Sequence, residues 1–273
     1  MIAGYDYLFL RDVARHFWTR TRIAGAALLL AGVILMGMGG AYYGYASNAR
    51  SNLDQYNVAA VELVPVVSPS QPAQPLALSE PSIIPEASLY SGDAGFIPVQ
   101  SGPELPKGFA LIDHTQDDAL PPVAAATRLS IASVGIDASV VELSIENLGD
   151  RRAYETPANA IGHIPETYDA GENGDGWFFG HMESPLIGEG AVFSNLDQIP
   201  GKLANGEEVQ IIAGNGSEEF LYRVTATRIV HEDDMTLEGD GGPSIHLVAC
   251  FPRLVYDHRL VVDAELIARK SSS

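Results

Sequence analysis

The chain has 273 residues with a formal net charge of −19, and 46% of its residues are apolar. That length suffices for one or two domains with an ordinary hydrophobic core. The acidic excess lies outside the first 22 residues, and a surface of that sign repels phosphate backbones, so the composition argues against nucleic acid as a partner.

A long uncharged segment covers residues 23–46. At the helical rise of about 1.5 Å per residue, it can cross a hydrocarbon layer of about 30 Å. Arginines precede it and three tyrosines lie near its end, which predicts a single-pass transmembrane helix with residues 1–22 in the cytoplasm and the remaining chain outside the cell membrane. A cleaved signal peptide is the alternative, because residues 47–49 have a small-x-small pattern.

Residues 47–126 contain eleven of the 17 prolines, together with many Ser, Gln and Ala residues. Proline fixes φ and lacks a backbone donor, so this composition predicts an extended and semi-rigid spacer outside the membrane. The first residues of this region are also compatible with a few further turns of the membrane helix. We expect no chemical role for the spacer.

From residue 127 onward, short runs of β-branched and aromatic residues are separated by Gly, Asn, Asp and Pro. Short strands at such spacing, without a long amphipathic helix between them, predict an antiparallel barrel or sandwich. A single helical turn is predicted at 191–198. The predicted strands cover residues 128–131, 139–143, 176–180, 208–213, 220–230, 245–250 and 259–268.

The only cysteine, Cys250, ends one predicted strand, and Arg259 begins the next. If these strands pair as antiparallel neighbours, both residues lie at the same rim of the sheet. Period-two alternation places His246 on the same face as Cys250 and Ala249 on the opposite face. A lone cysteine outside the membrane is a buried apolar residue, an intermolecular bridge or a reactive thiol, and the count alone leaves these three open.

A reactive thiol requires a proton acceptor, because the ordinary pKa of cysteine is about 8.5. Among the seven histidines, His181 is the best candidate, since it follows an apolar strand and Gly180. A strand end is also where Cys250 lies. Taken singly, the cysteine, the histidine and Arg259 each also fit a purely structural role.

Taken together, these motifs resemble the sortase family over residues 127–268. The matching segments are HLVAC ending at Cys250, FFGH ending at His181, and HRLVV containing Arg259. RLSIASVGIDASVVEL, AIGHIPETYDAGENGDG, VFSNLDQI and NGEEVQI match in the same order. The chain departs from the TLxTC pattern of the family, because His246 and Ala249 stand in place of the two threonines.

The resemblance implies a mainly β fold: a closed eight-stranded sortase-type barrel with short helices, preceded by a single transmembrane helix and a Pro-rich spacer. The implied domains are a cytoplasmic segment 1–22, the transmembrane helix 23–46, the spacer 47–126 and a catalytic domain 127–270. The implied activity is that of a membrane-anchored cysteine transpeptidase. Such an enzyme cleaves a C-terminal sorting-signal peptide through a thioacyl intermediate and transfers the acyl part to an amine, in cell-wall anchoring or pilus assembly.

In this resemblance, Cys250 is the nucleophile, His181 the acid/base and Arg259 the clamp for the substrate or oxyanion. The residues expected to contact the substrate are His163, Thr167 and Ala249. The connection before the cysteine strand, residues 230–244, is expected to form one wall of the peptide groove.

The implied partners are secreted or membrane-tethered proteins with a sorting signal, an amine acceptor such as a peptidoglycan precursor or a pilin lysine, and the lipid bilayer. No cofactor is implied. Glu232, Asp233 and Asp234 form an acidic run that suits Ca²⁺, which some sortases bind, but the default interpretation is a solvated loop, so no metal site is predicted.

Two other functions are compatible with the same residues. One is a catalytically silent, sortase-like surface or scaffold module, which the departures at His246 and Ala249 suggest. The other is a cysteine hydrolase that releases a peptide without an amine acceptor.

Overall fold

The computed structural model describes residues 5–60, 105–112, 123–147, 152–154, 156–183, 188, 190–239 and 241–271. A long helix, α1, covers Tyr5–Ser51. Within its portion Arg22–Ser51, the most apolar 18-residue stretch has a mean hydropathy of 2.1 and is unburied, so by length and composition this helix can cross a membrane. The chain therefore carries an N-terminal apolar helix compatible with a single-pass membrane anchor.

The first part of the predicted spacer folds against the barrel. The helix ends at Ser51 and is followed by a short 3-10 helix, Leu53–Tyr56, and by the strand β1, Val58–Ala59. Strand β2, Ala110–Leu111, belongs to a second part of the spacer. Both strands pair with long strands of the barrel, so these spacer residues contribute to the fold. Residues 61–104 and 113–122 lie outside the described residues.

The remaining described strands and the second helix follow in chain order. The strands are β3 Arg128–Ile131, β4 Ile136–Glu142, β5 Ile145–Asn147, β6 Arg152–Tyr154, β7 Ile161–His163, β8 Asp175–Phe179, β9 Gln210–Gly214, β10 Glu218–His231, β11 Ser244–Phe251 and β12 His258–Ser271. Helix α2 covers Ile199–Ala204 and lies between β8 and β9.

Eight strands close into a barrel. Their order is β10, β9, β3, β4, β7, β8, β11 and β12, and β12 pairs back with β10. Closure leaves no open edge in the barrel wall. The closed eight-stranded barrel confirms the predicted fold class, with one difference from a purely antiparallel barrel: β4 pairs in parallel with β7, and β8 pairs in parallel with β11.

Alternation along the strands separates an interior and an exterior face. On β11, the side chains of Leu247 and Ala249 belong to the main core, which fills the barrel. Val248 belongs instead to a second apolar cluster, with Trp177 and Val261 among its members. The residues of β11 with the same parity as Val248, including Cys250, therefore face outward.

The predicted strands are recovered, with small shifts of their ends, but the helix is displaced. The predicted turn at 191–198 is a 3-10 helix at Leu196–Gln198 that leads into α2. Pro200 occupies the first turn of α2, where its missing N–H costs nothing, so the proline starts the helix. Strand β7 was not predicted, because three buried residues are too short to show a period of two.

We predict that the buried and exposed leucines respond very differently to truncation. Leu247 is fully buried in the barrel core, so Leu247→Ala should lower the free energy of unfolding by about 2–5 kcal/mol. Leu237 is 44% exposed, so Leu237→Ala should change it by less than about 0.5 kcal/mol. Urea unfolding of the full chain in detergent micelles, followed by tryptophan fluorescence, measures both. Equal losses for the two variants would contradict the interior placement of Leu247.

Candidate active site

Cys250 and Arg259 are direct partners in the antiparallel pair of β11 and β12. The Cα atoms of such partners lie about 4.5–5.5 Å apart. Both side chains are half-buried, and both lie where the two strands are joined. The neighbouring position predicted for the thiol and the guanidinium is therefore present in the fold.

His181 reaches the same rim from the other side of β11. Strand β8 pairs in parallel with β11 and brings Phe179 level with Val248. The next residue, Gly180, donates its N–H to the carbonyl of Val248 at 3.1 Å. Extended by two residues past the end of β8, this register would bring His181 level with Cys250. β11 therefore lies between β8, which ends two residues before His181, and β12, which contains Arg259.

Close packing and local hydrogen bonds hold the His181 segment in place. The carbonyl of His181 accepts from the N–H of Phe193 at 3.0 Å, and its Nε2 atom lies 3.3 Å from the carbonyl oxygen of Thr156. A Cβ atom on Gly180 would lie 2.6 Å from the ring of Phe193. Only glycine fits this close approach, which explains the Gly-His pair at the strand end.

The guanidinium of Arg259 is bound to the backbone and to one carboxylate. Its Nη1 donates to the carbonyls of Tyr256 and His258 at 2.8 and 2.9 Å, and its Nη2 donates to Glu232 at 2.9 Å. Its Nε–H has no partner among the described residues. Arg259 is thus held in place while keeping a donor for a further acceptor.

The environment of the thiol keeps it protonated. Burial raises the pKa of Cys250, the nearby Arg259 lowers it, and Glu232 raises it, with a net increase. A thiol with a raised pKa contains little thiolate at neutral pH. Nucleophilic use of Cys250 therefore requires a proton acceptor beside it.

Residues 252–257, which we call the rim loop, connect Cys250's strand to Arg259's strand. Glu183 accepts hydrogen bonds from Arg253 at 3.0 Å and from Tyr256 at 3.1 Å. Since Glu183 lies two residues after His181, these bonds tie the histidine segment to the rim loop. Arg253 also donates to the carbonyl of Ser194.

Sequence reasoning missed Glu183, Arg253 and Tyr256. Their partners are about 70 residues away along the chain, and no local pattern marks them. The sequence does contain one signal: Glu183 follows His181 by two residues, and Arg253 follows Cys250 by three.

The connection between β10 and β11 crosses the outer face of the sheet. Glu232 reaches Arg259 at 2.9 Å, Met235 packs on the apolar cluster with Val248, and the N–H of Gly241 donates to Asp175 at 3.1 Å. Glu232, the first residue of the acidic run, is therefore an ion-pair partner of the rim.

Of the three residues expected to contact substrate, Ala249 and His163 are buried and Thr167 is half-buried. Ala249 is 2% exposed and faces the barrel interior, so its side chain does not reach the outer face on which Cys250 lies. His163 is buried and bonds through Nδ1 to Glu142 and through Nε2 to the carbonyl of Tyr168, at 2.9 and 3.0 Å.

The hydroxyl of Thr167 is likewise engaged within the fold. It donates to the carbonyl of Ile164 at 2.8 Å and accepts from the N–H of Trp177 at 3.2 Å. These bonds close the turn between β7 and β8. A substrate contact by His163 or Thr167 stays a prediction.

His246 is buried in a charged cluster and does not face solvent. Its Nδ1 lies 2.6 Å from Asp263 and its Nε2 lies 3.2 Å from Asp175, while its ring stacks on Trp177 with centroids 4.2 Å apart. Asp263 also pairs with Arg228 at 3.0 Å. Hydrogen bonds from His246 and Arg228 outweigh the burial of Asp263, so the pKa of that carboxyl is lowered.

A cavity of about 620 Å³ adjoins this cluster and is distinct from the rim. It is lined by Arg228, His246 and Asp263 among others, and it excludes Cys250, His181 and Arg259. His246 precedes Cys250 by four residues on the same face, which corresponds to roughly 13 Å along the strand. The cavity and the thiol therefore lie at different ends of one outer surface.

One group among the described residues has the spacing of metal ligands. Ligand atoms of Glu142, His163 and Asp169 lie within 4.8 Å of one another. In this structure Nδ1 of His163 and Glu142 form a hydrogen bond, and burial raises the pKa of Asp169. Nδ1 of His163 thus already has a hydrogen-bond partner within the group.

The fold is a closed eight-stranded β-barrel in which Cys250 and Arg259 are direct partners at one rim. A family model described as the sortase domain matches residues 129–267. Because this match covers more than half of the chain, the chain belongs to the sortase family. No curated protein matches it.

Several solved structures are similar to this chain. Sortase C-3 from Streptococcus pneumoniae is 21% identical, over 58% of this chain and 68% of that chain, with a TM-score of 0.39. Sortase A from Listeria monocytogenes is 15% identical, over 55% and 92%, with a TM-score of 0.40. A sortase D5 transpeptidase from Clostridium perfringens is 26% identical, over 52% and 79%, with a TM-score of 0.38.

We predict that Glu232 suppresses thiolate formation at Cys250. Glu232→Gln removes a negative charge that raises the pKa of the thiol, so that pKa should fall and alkylation by iodoacetamide at neutral pH should become faster. The measurement is the alkylation rate of the full chain as a function of pH, since the chain has a single cysteine.

Asp234→Asn is the matched control for this prediction. It removes the same charge two residues away, from an exposed side chain, and it should leave the pH profile of alkylation unchanged. A profile that Glu232→Gln does not move toward lower pH would contradict the assigned interaction.

Proposed function

We propose that the chain is a membrane-anchored cysteine transpeptidase that cleaves a sorting-signal peptide and joins its acyl part to an amine. The observation that carries this proposal is the position of β11 between β12, where Arg259 is the direct partner of Cys250, and β8, which ends two residues before His181. Membership of the sortase family supports the same reaction class.

Cys250 forms the covalent intermediate. Its thiol proton passes to His181, and the sulfur attacks the scissile carbonyl carbon. The carbon–nitrogen bond then breaks as His181 returns the proton to the departing amine. The products of this half-reaction are a thioacyl enzyme and a peptide with a free amino terminus.

The second half-reaction reverses these roles. The nitrogen of the acceptor amine attacks the thioester carbon and loses a proton to His181. The carbon–sulfur bond breaks, and the proton returns to the sulfur of Cys250. The new amide bond conserves the acyl group, so the reaction requires neither a redox partner nor a nucleotide.

Arg259 stabilises the negative charge that develops in both steps. It lies beside Cys250 in the sheet register, it lowers the pKa of the thiol, and its Nε–H is unpaired within the described part of the chain. A fixed guanidinium donor suits the oxyanion of the tetrahedral intermediate or the backbone of the substrate. Glu232 keeps this donor oriented through Nη2.

The proposed location follows from the helix and its flanking charges. We place the N-terminus in the cytoplasm and the barrel outside the membrane, because arginines precede the apolar stretch. Partners are then secreted or membrane-tethered proteins with a sorting signal, and an amine from a peptidoglycan precursor or a pilin lysine. Tethering in one bilayer raises the effective concentration of such substrates.

We predict that the three rim groups are individually required. With LPxTG-like peptides and diglycine as acceptor, Cys250→Ala should abolish product formation, because no thioacyl intermediate forms. His181→Ala and Arg259→Ala should each lower kcat by about 10²–10³-fold. Mass spectrometry of the reaction products measures all three effects.

His16→Ala and Arg269→Ala are the matched controls, because they remove a histidine that precedes the apolar stretch and an exposed arginine of β12, neither of which takes part in the proposed chemistry. Both should retain the activity of the unchanged protein. Persistent product formation by Cys250→Ala would refute the proposal. Peptide release with no amide product would indicate a hydrolase, and failure of Cys250 to react with a peptidyl vinyl sulfone in the unchanged protein would favour a silent module.

A further inference from the structure

The end of the anchor helix touches the rim loop directly. The hydroxyl of Tyr42 donates to the carbonyl of Leu254 at 3.4 Å, and the hydroxyl of Tyr45 donates to the carbonyl of Arg253 at 3.0 Å. One and a half turns later, Arg50 pairs with Asp257 at 2.7 Å. Three contacts along one side of α1 therefore hold the loop that joins Cys250 to Arg259.

The residues after the helix continue this attachment around the barrel. The ring of Tyr56 packs edge-on against Phe251, with centroids 4.7 Å apart. The side chain of Asn57 accepts from the N–H of Ile229 at 2.7 Å, and β1 pairs with β10. We call residues 42–59 the collar, because they bind both the rim loop and the neighbouring wall.

The position of the bilayer along α1 follows from its charges. Residues 23–49 carry no charge, and about 20 helical residues cross a hydrocarbon layer of about 30 Å. Counted from Arg22, that layer ends near Tyr42. Tyr42, Tyr43 and Tyr45 then occupy the outer interface, where tyrosines are enriched.

The rim loop consequently lies at the level of the lipid headgroups. Leu254 is 49% exposed and its carbonyl is bound by Tyr42, the residue at the edge of the hydrocarbon layer. Asp257 lies further out, level with Arg50, about 12 Å along the helix from Tyr42. An exposed leucine at the inner end and an ion pair at the outer end match the polarity gradient of a bilayer surface.

The rim loop is also clamped from two sides. Glu183 binds the side chains of Arg253 and Tyr256 from the histidine segment, while the tyrosines of α1 bind the backbone carbonyls of Arg253 and Leu254. Leu254 and Tyr256 have left-handed backbone conformations, with φ of 64° and 61°. Such conformations persist where surrounding contacts impose them.

We propose that the collar is a positioning element of the catalytic rim, which it fixes at the outer bilayer surface with Leu254 in the lipid interface. Tyr42, Tyr45 and Arg50 act through the rim loop, which connects the strand of Cys250 to the strand of Arg259. The anchor thereby sets the geometry of the site in addition to its cellular location. The catalytic part of this inference rests on the proposed transpeptidase function, whereas the contact with lipid does not.

The lipid contact is tested by the depth of a fluorescent probe. In the full chain carrying Cys250→Ser, a single cysteine is introduced by Leu254→Cys and labelled with an environment-sensitive fluorophore. The protein is reconstituted in vesicles of phosphatidylcholine and phosphatidylglycerol that contain spin-labelled phosphatidylcholine. We expect strong quenching of this probe by the labelled lipid.

Ser217→Cys in the same background is the control, because Ser217 lies in the turn before β10, at the end of the barrel opposite to the rim loop. Its probe should remain unquenched. Equal quenching at the two positions, or none at Leu254, would refute the placement of the rim loop in the interface.

The positioning role is tested by a matched pair of tyrosine variants. Tyr45→Phe removes the hydroxyl that binds Arg253, whereas Tyr43→Phe removes a hydroxyl from a side chain that is 75% exposed. Loss of the Tyr45 hydrogen bond should loosen the rim loop. Cys250 should then react faster with iodoacetamide while kcat for transpeptidation falls, each by roughly two- to tenfold, and Tyr43→Phe should change neither rate.

An exchange of charges provides a rescue experiment. Arg50→Glu should show the same opposite shifts in alkylation and kcat, and the double variant Arg50→Glu with Asp257→Arg should restore both in part, because Asp257 also binds Nδ1 of His258 at 2.7 Å. Unchanged alkylation in Tyr45→Phe and Arg50→Glu would refute the positioning role even if the protein proves inactive as a transpeptidase. Failure of the proposed transpeptidase mechanism is recognised separately, as product formation that survives Cys250→Ala.

Discussion

The pairing of β11 with two different neighbours is the constraint on which the site depends. The parallel ladder with β8 ends two residues before His181 and leads that segment toward the rim, and the antiparallel ladder with β12 brings Arg259 beside Cys250. A shift of one residue in either ladder would turn the corresponding side chain to the other face of the sheet. The register is held by the buried residues of these strands, so the packing of the core also determines the geometry of the site.

Burial of Cys250 disfavours its thiolate form, and one neighbouring group partly offsets this effect. The half-buried thiol has a raised pKa, Arg259 acts against that increase, and Glu232 acts with it. The same carboxylate binds the guanidinium at 2.9 Å, so it orients the donor while it disfavours the thiolate. The balance keeps Cys250 in the less reactive thiol form until a base removes its proton.

The attachment of α1 to the barrel links location to chemistry. The tyrosines that suit a bilayer interface are the residues that bind the rim loop, and they lie more than 200 residues from it in sequence. Part of the predicted spacer serves the same attachment, since β1 pairs with β10. A segment that composition describes as a passive tether therefore includes elements of the folded domain.

The sequence alone determined the apolar helix, the β class, most strand positions and the proximity of Cys250 to Arg259, because these depend on local composition, on alternation and on one short connection. The tertiary structure decided the two parallel pairings, the attachment of the His181 segment to β11 through Gly180, the interior position of Ala249, the bonds of Glu183 to the rim loop and the docking of Tyr42 and Tyr45. These features join segments that are distant in the chain, and their free energy comes from packing and hydrogen bonds that exist only once the barrel has closed.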